Sequence, residues 1–172
     1  LNWDKEHLRH YLTPAVDFAR WFETHKKERN MEGKGSNLVA VLARINAVIQ
    51  AANAPHAHDA GVGKCYTPLT SKQRWTIDRL EQLTAQGKKT IVYASSPETL
   101  ERLQQALADR GIEGVIFTGK GSIKARTERL DNRFRFGPAP VLLASLGVSQ
   151  RGLNLPQASH IIFYNRDWTA DA

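Results

Sequence analysis

Residues 140–168 read PVLLASLGVSQRGLNLPQASHIIFYNRDW. Two short apolar runs, 141–144 and 161–164, flank a polar, glycine-bearing turn at 145–152, and Asn154-Leu155-Pro156 follows the turn. Continuous apolar runs of this length, without alternation, suit strands of a sheet covered on both faces. A turn of Ser, Gly, Gln and Arg at the carboxyl end of a buried parallel strand offers hydroxyls and free amides. Those groups hold nucleotides or phosphate backbones.

The same pattern extends towards the amino terminus. Strands are expected at 90–94, 115–118, 141–145 and 161–164. Helices are expected at 72–86, 97–109 and 122–134. Pro97 suits a first helical turn, and Gly87 and Gly111 suit helix ends. Strand-helix alternation of this kind implies a parallel sheet with right-handed crossovers. Trp75, Leu80 and Leu83 are expected to face inward from the helix at 72–86.

The first sixty residues are different. Leu8, Tyr11, Leu12, Ala15, Phe18, Ala19 and Phe22 recur at three- and four-residue steps and predict an amphipathic helix over 7–25, with Asp4 as its cap. Leu38, Val41, Leu42, Ile45, Val48 and Ile49 predict a second over 38–52. A charged linker at 26–36 joins them into a helical hairpin. The Pro- and Gly-broken stretch 53–68 separates the hairpin from the strand-helix region. The expected organisation is a helical segment over 1–60 and an α/β domain over 61–172.

The chain has 172 residues, 41% of them hydrophobic, enough for one substantial core. No run approaches the ~20 apolar residues that cross a bilayer. A single cysteine, Cys65, excludes an internal disulfide and fits a reducing, intracellular compartment. The chain opens on Leu1 and its sole methionine is Met31, so an excised piece is expected. The net charge is +7, with 16 Lys+Arg against 10 Asp+Glu from Gly61 onward and 8 against 7 before it. The basic excess lies with the candidate site. It fits a partner made of phosphates, or equally an inert basic surface.

Three other chemistries fit the sequence poorly. Residues 114–122 read GVIFTGKGS and nearly spell a phosphate-binding P-loop, but the first glycine precedes the strand, and Gly121 stands where Ser or Thr would hold magnesium. His56, His58 and Cys65 share one loop but lack a fourth zinc ligand at paired spacing. Ser95, Ser96, Ser145 and Ser149, with His160, lack a nucleophile elbow. No catalytic residue and no metal ligand is therefore expected. What remains is the set of polar strand ends: Ser95 and Ser96 after the first strand, Gly119, Lys120 and Ser122 after the second, and Ser145 at the end of the third. In a parallel sheet they share one rim, where helix amino termini and hydroxyls suit phosphate oxygens.

These residues resemble the carboxyl-terminal RecA-like lobe of superfamily-two helicases and translocases, most closely the Swi/Snf-like ATPases. Ser71-Lys72 resembles that lobe's opening. TIVYASS at 90–96 resembles motif IV. Gly119, Ser122, Arg126 and Phe134 resemble the Asp-Gly-Ser…Arg…Phe segment. SLGVSQRGLNL at 145–155 resembles motif V, and ASHIIFYNRDW at 158–168 the approach to motif VI. Ser149-Gln150 departs from the usual Gly-Gly, and Arg151-Gly152-Leu153-Asn154 is also similar to the DEAD-box RNA helicases. Motif VI, with its arginine finger, is expected beyond Ala172, and motifs I to III on another lobe.

The resemblance implies an α/β fold: a parallel-sheet RecA-like lobe of P-loop NTPase-like topology without its own P-loop, preceded by an α-helical hairpin acting as a protrusion. It implies a fragment of an ATP-dependent nucleic-acid helicase or translocase that closes the ATP site and grips phosphate backbone. The alternatives are a DEAD-box-like RNA helicase lobe, a nucleotide-sugar transferase domain or a protein-interaction module. It implies backbone contacts at Ser95, Ser96, Gly119, Lys120 and Ser145, and nucleotide contacts at Gly152 and Asn154, with Arg151 serving either side. ATP and magnesium are implied for the full-length parent, with none bound by the fragment, which alone is expected to be inactive. The implied partners are double-stranded DNA and an amino-terminal RecA-like lobe, with no membrane. The implied location is cytoplasmic, nucleoid-associated in a bacterium.

Overall fold

A computed structural model describes residues 2–32, 38–57, 66–149 and 153–165. The chain divides into two compact units, Leu1–Ser71 and Lys72–Ala172.

In the first unit, helix α1 (Lys5–Glu32) packs along helix α2 (Leu38–Asn53), giving the expected hairpin. α1 runs past its predicted end and takes up part of the expected linker. Its inward face also differs from the predicted stripe. Leu8, Leu12 and Phe22 stay substantially exposed, while His7 and His10 are buried. Long-range partners explain the change of phase. His7 Nε2 donates to the Ala51 carbonyl at 3.0 Å, and the rings of His7 and His10 lie 5.3 and 5.5 Å from that of buried Tyr66. Burial lowers the His7 pKa, so the ring is held neutral. The Asp4 carbonyl accepts from Leu8 N at 2.8 Å and starts α1, as a cap residue should.

In the second unit, helix α3 (Ser71–Ala85) leads into strand β1 (Thr90–Ala94), helix α4 (Pro97–Ala108) and strand β2 (Gly114–Phe117). Helix α5 (Ile123–Arg129) then continues as a π-helix (Leu130–Arg135) before strand β3 (Val141–Ser145), the short helix α6 (Leu146–Ser149) and strand β4 (His160–Phe163). All pairings are parallel and the strand order is β2-β3-β1-β4. β1 and β3 fall where the sequence predicts them, and β2 and β4 begin one residue earlier. From α3, Leu80 and Leu83 are buried as expected, but Trp75 is half exposed and Ile77 takes its place inside.

Two features depart from the expected pattern. The predicted helix at 122–134 is an α-helix followed by one π turn, in which Phe136 N donates to Asp131 O at 2.8 Å. The π turn lets both Leu130 and Phe134 enter the core formed with Ile91, Val115, Phe117, Leu142 and Ala144. Gly137 follows, where a Cβ would lie 2.2 Å from the Asn132 carbonyl oxygen, so only glycine fits. Lys89 Nζ donates to the carbonyls of Phe134 and Gly137 and closes the turn. The second departure is β4. Ile161 and Phe163 are more than half exposed, so β4 is covered on one face, whereas β3 is buried throughout.

α4 packs on β1, β2 and β3, with Leu100, Leu103 and Leu107 fully buried. Gly114 permits the approach to β2: a Cβ there would meet Leu143 Cδ1 at 3.2 Å and Leu107 Cδ1 at 3.5 Å.

Candidate nucleic-acid interface

Parallel pairing brings all four carboxyl strand ends to one rim. Thr118-Gly119-Lys120 leaves β2, Ser145 ends β3 opposite Ala94, Ser95-Ser96 leaves β1, and Tyr164-Asn165 leaves β4. At about 4.8 Å per strand the row spans roughly 14 Å. Ser95, Ser96, Gly119, Lys120 and Ser145 thus come together as one row.

Within that row the groups are used differently. Ser96 is the amino-terminal cap of α4: its hydroxyl accepts from Thr99 N at 3.4 Å and donates to Glu98 Oε2 at 2.7 Å. Ser95 is exposed, its amide donates to Asn165 Oδ1 at 3.1 Å, and Asn165 Nδ2 donates to its hydroxyl. Asn165 therefore ties the β1 loop to the end of β4. The sequence pattern does not mark Asn165, because its partner lies seventy residues away in the chain. Ser145 is buried, with 7% of its surface accessible.

The loop after β2 is more open. Gly119, Lys120, Gly121 and Ser122 are all exposed. Gly121 adopts φ +85°, a left-handed conformation that favours glycine, whereas a Cβ at Gly119 would make only an ordinary contact with Val148 at 3.8 Å. Ser122 caps α5 by accepting from Ala125 N at 3.2 Å. Arg126 NH1 donates to the Thr118 carbonyl at 2.8 Å, fixing the loop from behind. Lys120 Nζ lies 2.6 Å from Glu101 Oε1 while remaining 74% exposed. The hydrogen bond to Glu101, with the charges of Glu101 and Glu98 beside it, raises the Lys120 pKa, so the ammonium is charged at any working pH.

At the far end of the rim, Lys72 Nζ lies 4.4 Å from the centre of the Tyr164 ring, and burial lowers its pKa. Asn154 is exposed and its carbonyl accepts from Arg135 NH2 at 3.3 Å. Arg151 and Gly152 lie outside the described residues, as do His58 and Cys65 of the candidate zinc loop. Among the described residues no three His, Cys, Asp or Glu side chains gather as a metal site. Gly114 opens β2 rather than a phosphate loop, and its missing side chain makes room for Leu107 and Leu143. No described helix is long and apolar enough to cross a membrane.

Residues 72–172 match the family model described as the helicase conserved C-terminal domain. The helicase SWR1 of Candida albicans is 31% identical over 90 residues, which cover 52% of this chain and 5% of that protein. The Zorya protein ZorD of Escherichia coli O139:H28 is 24% identical over 160 residues, covering 87% of this chain and 14% of that protein. The chain thus spans a small fraction of the relatives it matches. Among solved structures, the Sulfolobus solfataricus SWI2/SNF2 ATPase C-terminal domain superposes with a TM-score of 0.71 at 16% identity, over 95% of this chain and 68% of that one. The SWI2/SNF2 ATPase core of the same organism, solved in complex with dsDNA, gives 0.71 at 17% identity, over 96% of this chain and 33% of that one. The α/β fold is therefore the RecA-like fold of those lobes, with a helical hairpin before it.

Proposed function

The chain belongs to the family of helicase conserved C-terminal domains, and from that premise we propose that it serves as the second RecA-like lobe of an ATP-dependent, Swi/Snf-like translocase on double-stranded DNA. The observation that carries this reading is the single rim that gathers Ser95, Ser96, Gly119, Lys120 and Ser145 at the carboxyl ends of parallel strands. The exposed Ser95 hydroxyl, the amides of the Gly119–Gly121 loop and the Lys120 ammonium suit the phosphodiester backbone. None of them is placed to read base edges, so binding is sequence-tolerant and falls with salt.

In this reading Lys120 supplies the charge and Gly119 and Gly121 keep its loop low enough for a backbone to approach. Ser95, positioned by Asn165, offers a hydroxyl at the neighbouring strand end. Gly152, Asn154 and Arg151 serve the nucleotide side and link its state to the grip. ATP hydrolysis supplies the free energy of stepping when a partner lobe holds the phosphates. This chain's own contribution is to bind the backbone and to close on that lobe. The helical hairpin over 1–60 is the protrusion, and the location is intracellular.

The test is equilibrium binding of the chain to a DNA duplex, a single-stranded DNA and an RNA of matched length at low salt. Tightest binding to the DNA duplex, unchanged between unrelated sequences, is expected. A preference for RNA favours the RNA-helicase reading, and no binding to any of the three overturns the proposal.

A further inference from the structure

Beside the rim, on the outer edge of β2, lies an open cleft of about 530 Å³ between α4 and the helix formed by α5 and its π turn. Its charged lining is Lys120, Arg126, Arg129, Arg133, Glu101 and Glu113, a net charge of +2. The two carboxylates are already engaged. Glu101 holds Lys120, and Glu113 accepts from Arg133 Nε at 2.8 Å and lies 2.7 Å from Arg133 NH2. Among the described residues Arg126 bonds only to a carbonyl, lies 5.8 Å from the Phe117 ring centre, and has no hydrogen-bond partner for its buried Nε. Arg129 is exposed and makes no ion pair among the described residues. Among the described residues two arginine charges therefore stand without a paired carboxylate at one cleft.

The β2 backbone sharpens the choice of ligand. β2 is an edge strand, paired on one side with β3, and its carbonyls on the other side meet side chains of the neighbouring helices. Gln104 Nε2 donates to the Gly114 carbonyl at 2.7 Å, and Arg126 takes the Thr118 carbonyl. An added strand would have to displace both side chains from those carbonyls. Among the described residues no aromatic side chain lines the cleft, so nothing there stacks on a base. Cations, occupied edge carbonyls and an absent stacking surface suit phosphate oxygens rather than an added strand or a nucleobase.

We infer that this cleft is a second phosphodiester subsite, in which Arg129 and Arg126 take the backbone as it leaves the Lys120 loop and passes around the β2 edge. Arg129 is the solvent-exposed cation and Arg126 the fixed one, since the Thr118 carbonyl holds its NH1. The inference rests on the proposed nucleic-acid grip and extends it beyond the sheet rim.

The test compares the chain with its Arg129→Gln and Lys120→Ala variants in binding to a DNA duplex over a range of salt, together with amide chemical shifts of the unsubstituted chain. Arg129 has no described ion-pair partner, so the glutamine variant should melt with the parent. The expected result is a salt slope shallower by about 0.9 for Arg129→Gln, the value for removing one phosphate interaction, and a shifted Ile116 amide on adding DNA. A shallower slope for Lys120→Ala with none for Arg129→Gln, and a still Ile116, overturns the cleft and leaves the rim standing. An effect of Arg129→Gln alone keeps the cleft and removes the rim. No binding by the unsubstituted chain removes both.

Discussion

The loops after β1 and β2 are built alike and used differently. Each runs from the carboxyl end of a parallel strand to a serine that caps the next helix, Ser96 for α4 and Ser122 for α5. In the β1 loop the polar groups are spent within the protein: Ser95 on Asn165, and Ser96 on Thr99 and Glu98. In the β2 loop the ammonium of Lys120 stands in solvent, restrained by one exposed carboxylate. An exposed pair of this kind is weak and yields readily to phosphate. Ser96 and Ser122 thus serve as helix caps, and the ammonium of Lys120 is the group left facing solvent for the proposed phosphate grip.

The largest expected effect lies behind the β2 loop. Gly137→Ala places a methyl group against two carbonyl oxygens of the π turn, the nearer at 2.2 Å. Overpacking of this order costs about 3 kcal/mol, read as a lowered midpoint in urea unfolding. Because Leu130 and Phe134 are held by that turn, the β2 loop should lose order before the β1 loop does, visible in amide exchange at Lys120 before Ser95. Simultaneous loss at both would show that the π turn does not support the β2 loop selectively.

Next come the caps. Ser96→Ala and Ser122→Ala should each cost about 1 kcal/mol. α4 is the more buried helix, with three leucines fully inside, so the loss at Ser96 should be the larger in thermal melts. Neither should make the salt slope of DNA binding shallower by the amount due to a phosphate interaction. A shift of that size on Ser96→Ala would restore the serine to the interface and collapse the contrast.

Much of the second unit is legible in the sequence because its signals are local. β1 and β3 are uninterrupted apolar runs bounded by polar turns, and the parallel sheet follows from the alternation of strand and helix. The shared rim follows in turn from parallel pairing, so its residues group together whatever the strand order. The features that escape a sequence reading depend on partners distant in the chain. The buried phase of α1 is set by Ala51 and Tyr66, which draw His7 and His10 inside in place of Leu8 and Leu12. The π turn is set by the fit of Leu130 and Phe134 to one core. Asn165 and Glu101, which fix Ser95 and Lys120, have no spacing that marks them. The exposed face of β4 cannot be told from a buried one by composition, because Ile161 and Phe163 are as apolar as the residues of β3.

The most direct test of the central claim is the salt dependence of duplex binding by the chain and its Lys120→Ala variant on two unrelated DNA sequences. Weaker binding is expected for the variant, with a slope shallower by about 0.9 and the same change on both sequences. An unchanged slope, or a loss confined to one sequence, would contradict a backbone grip by the β2 loop.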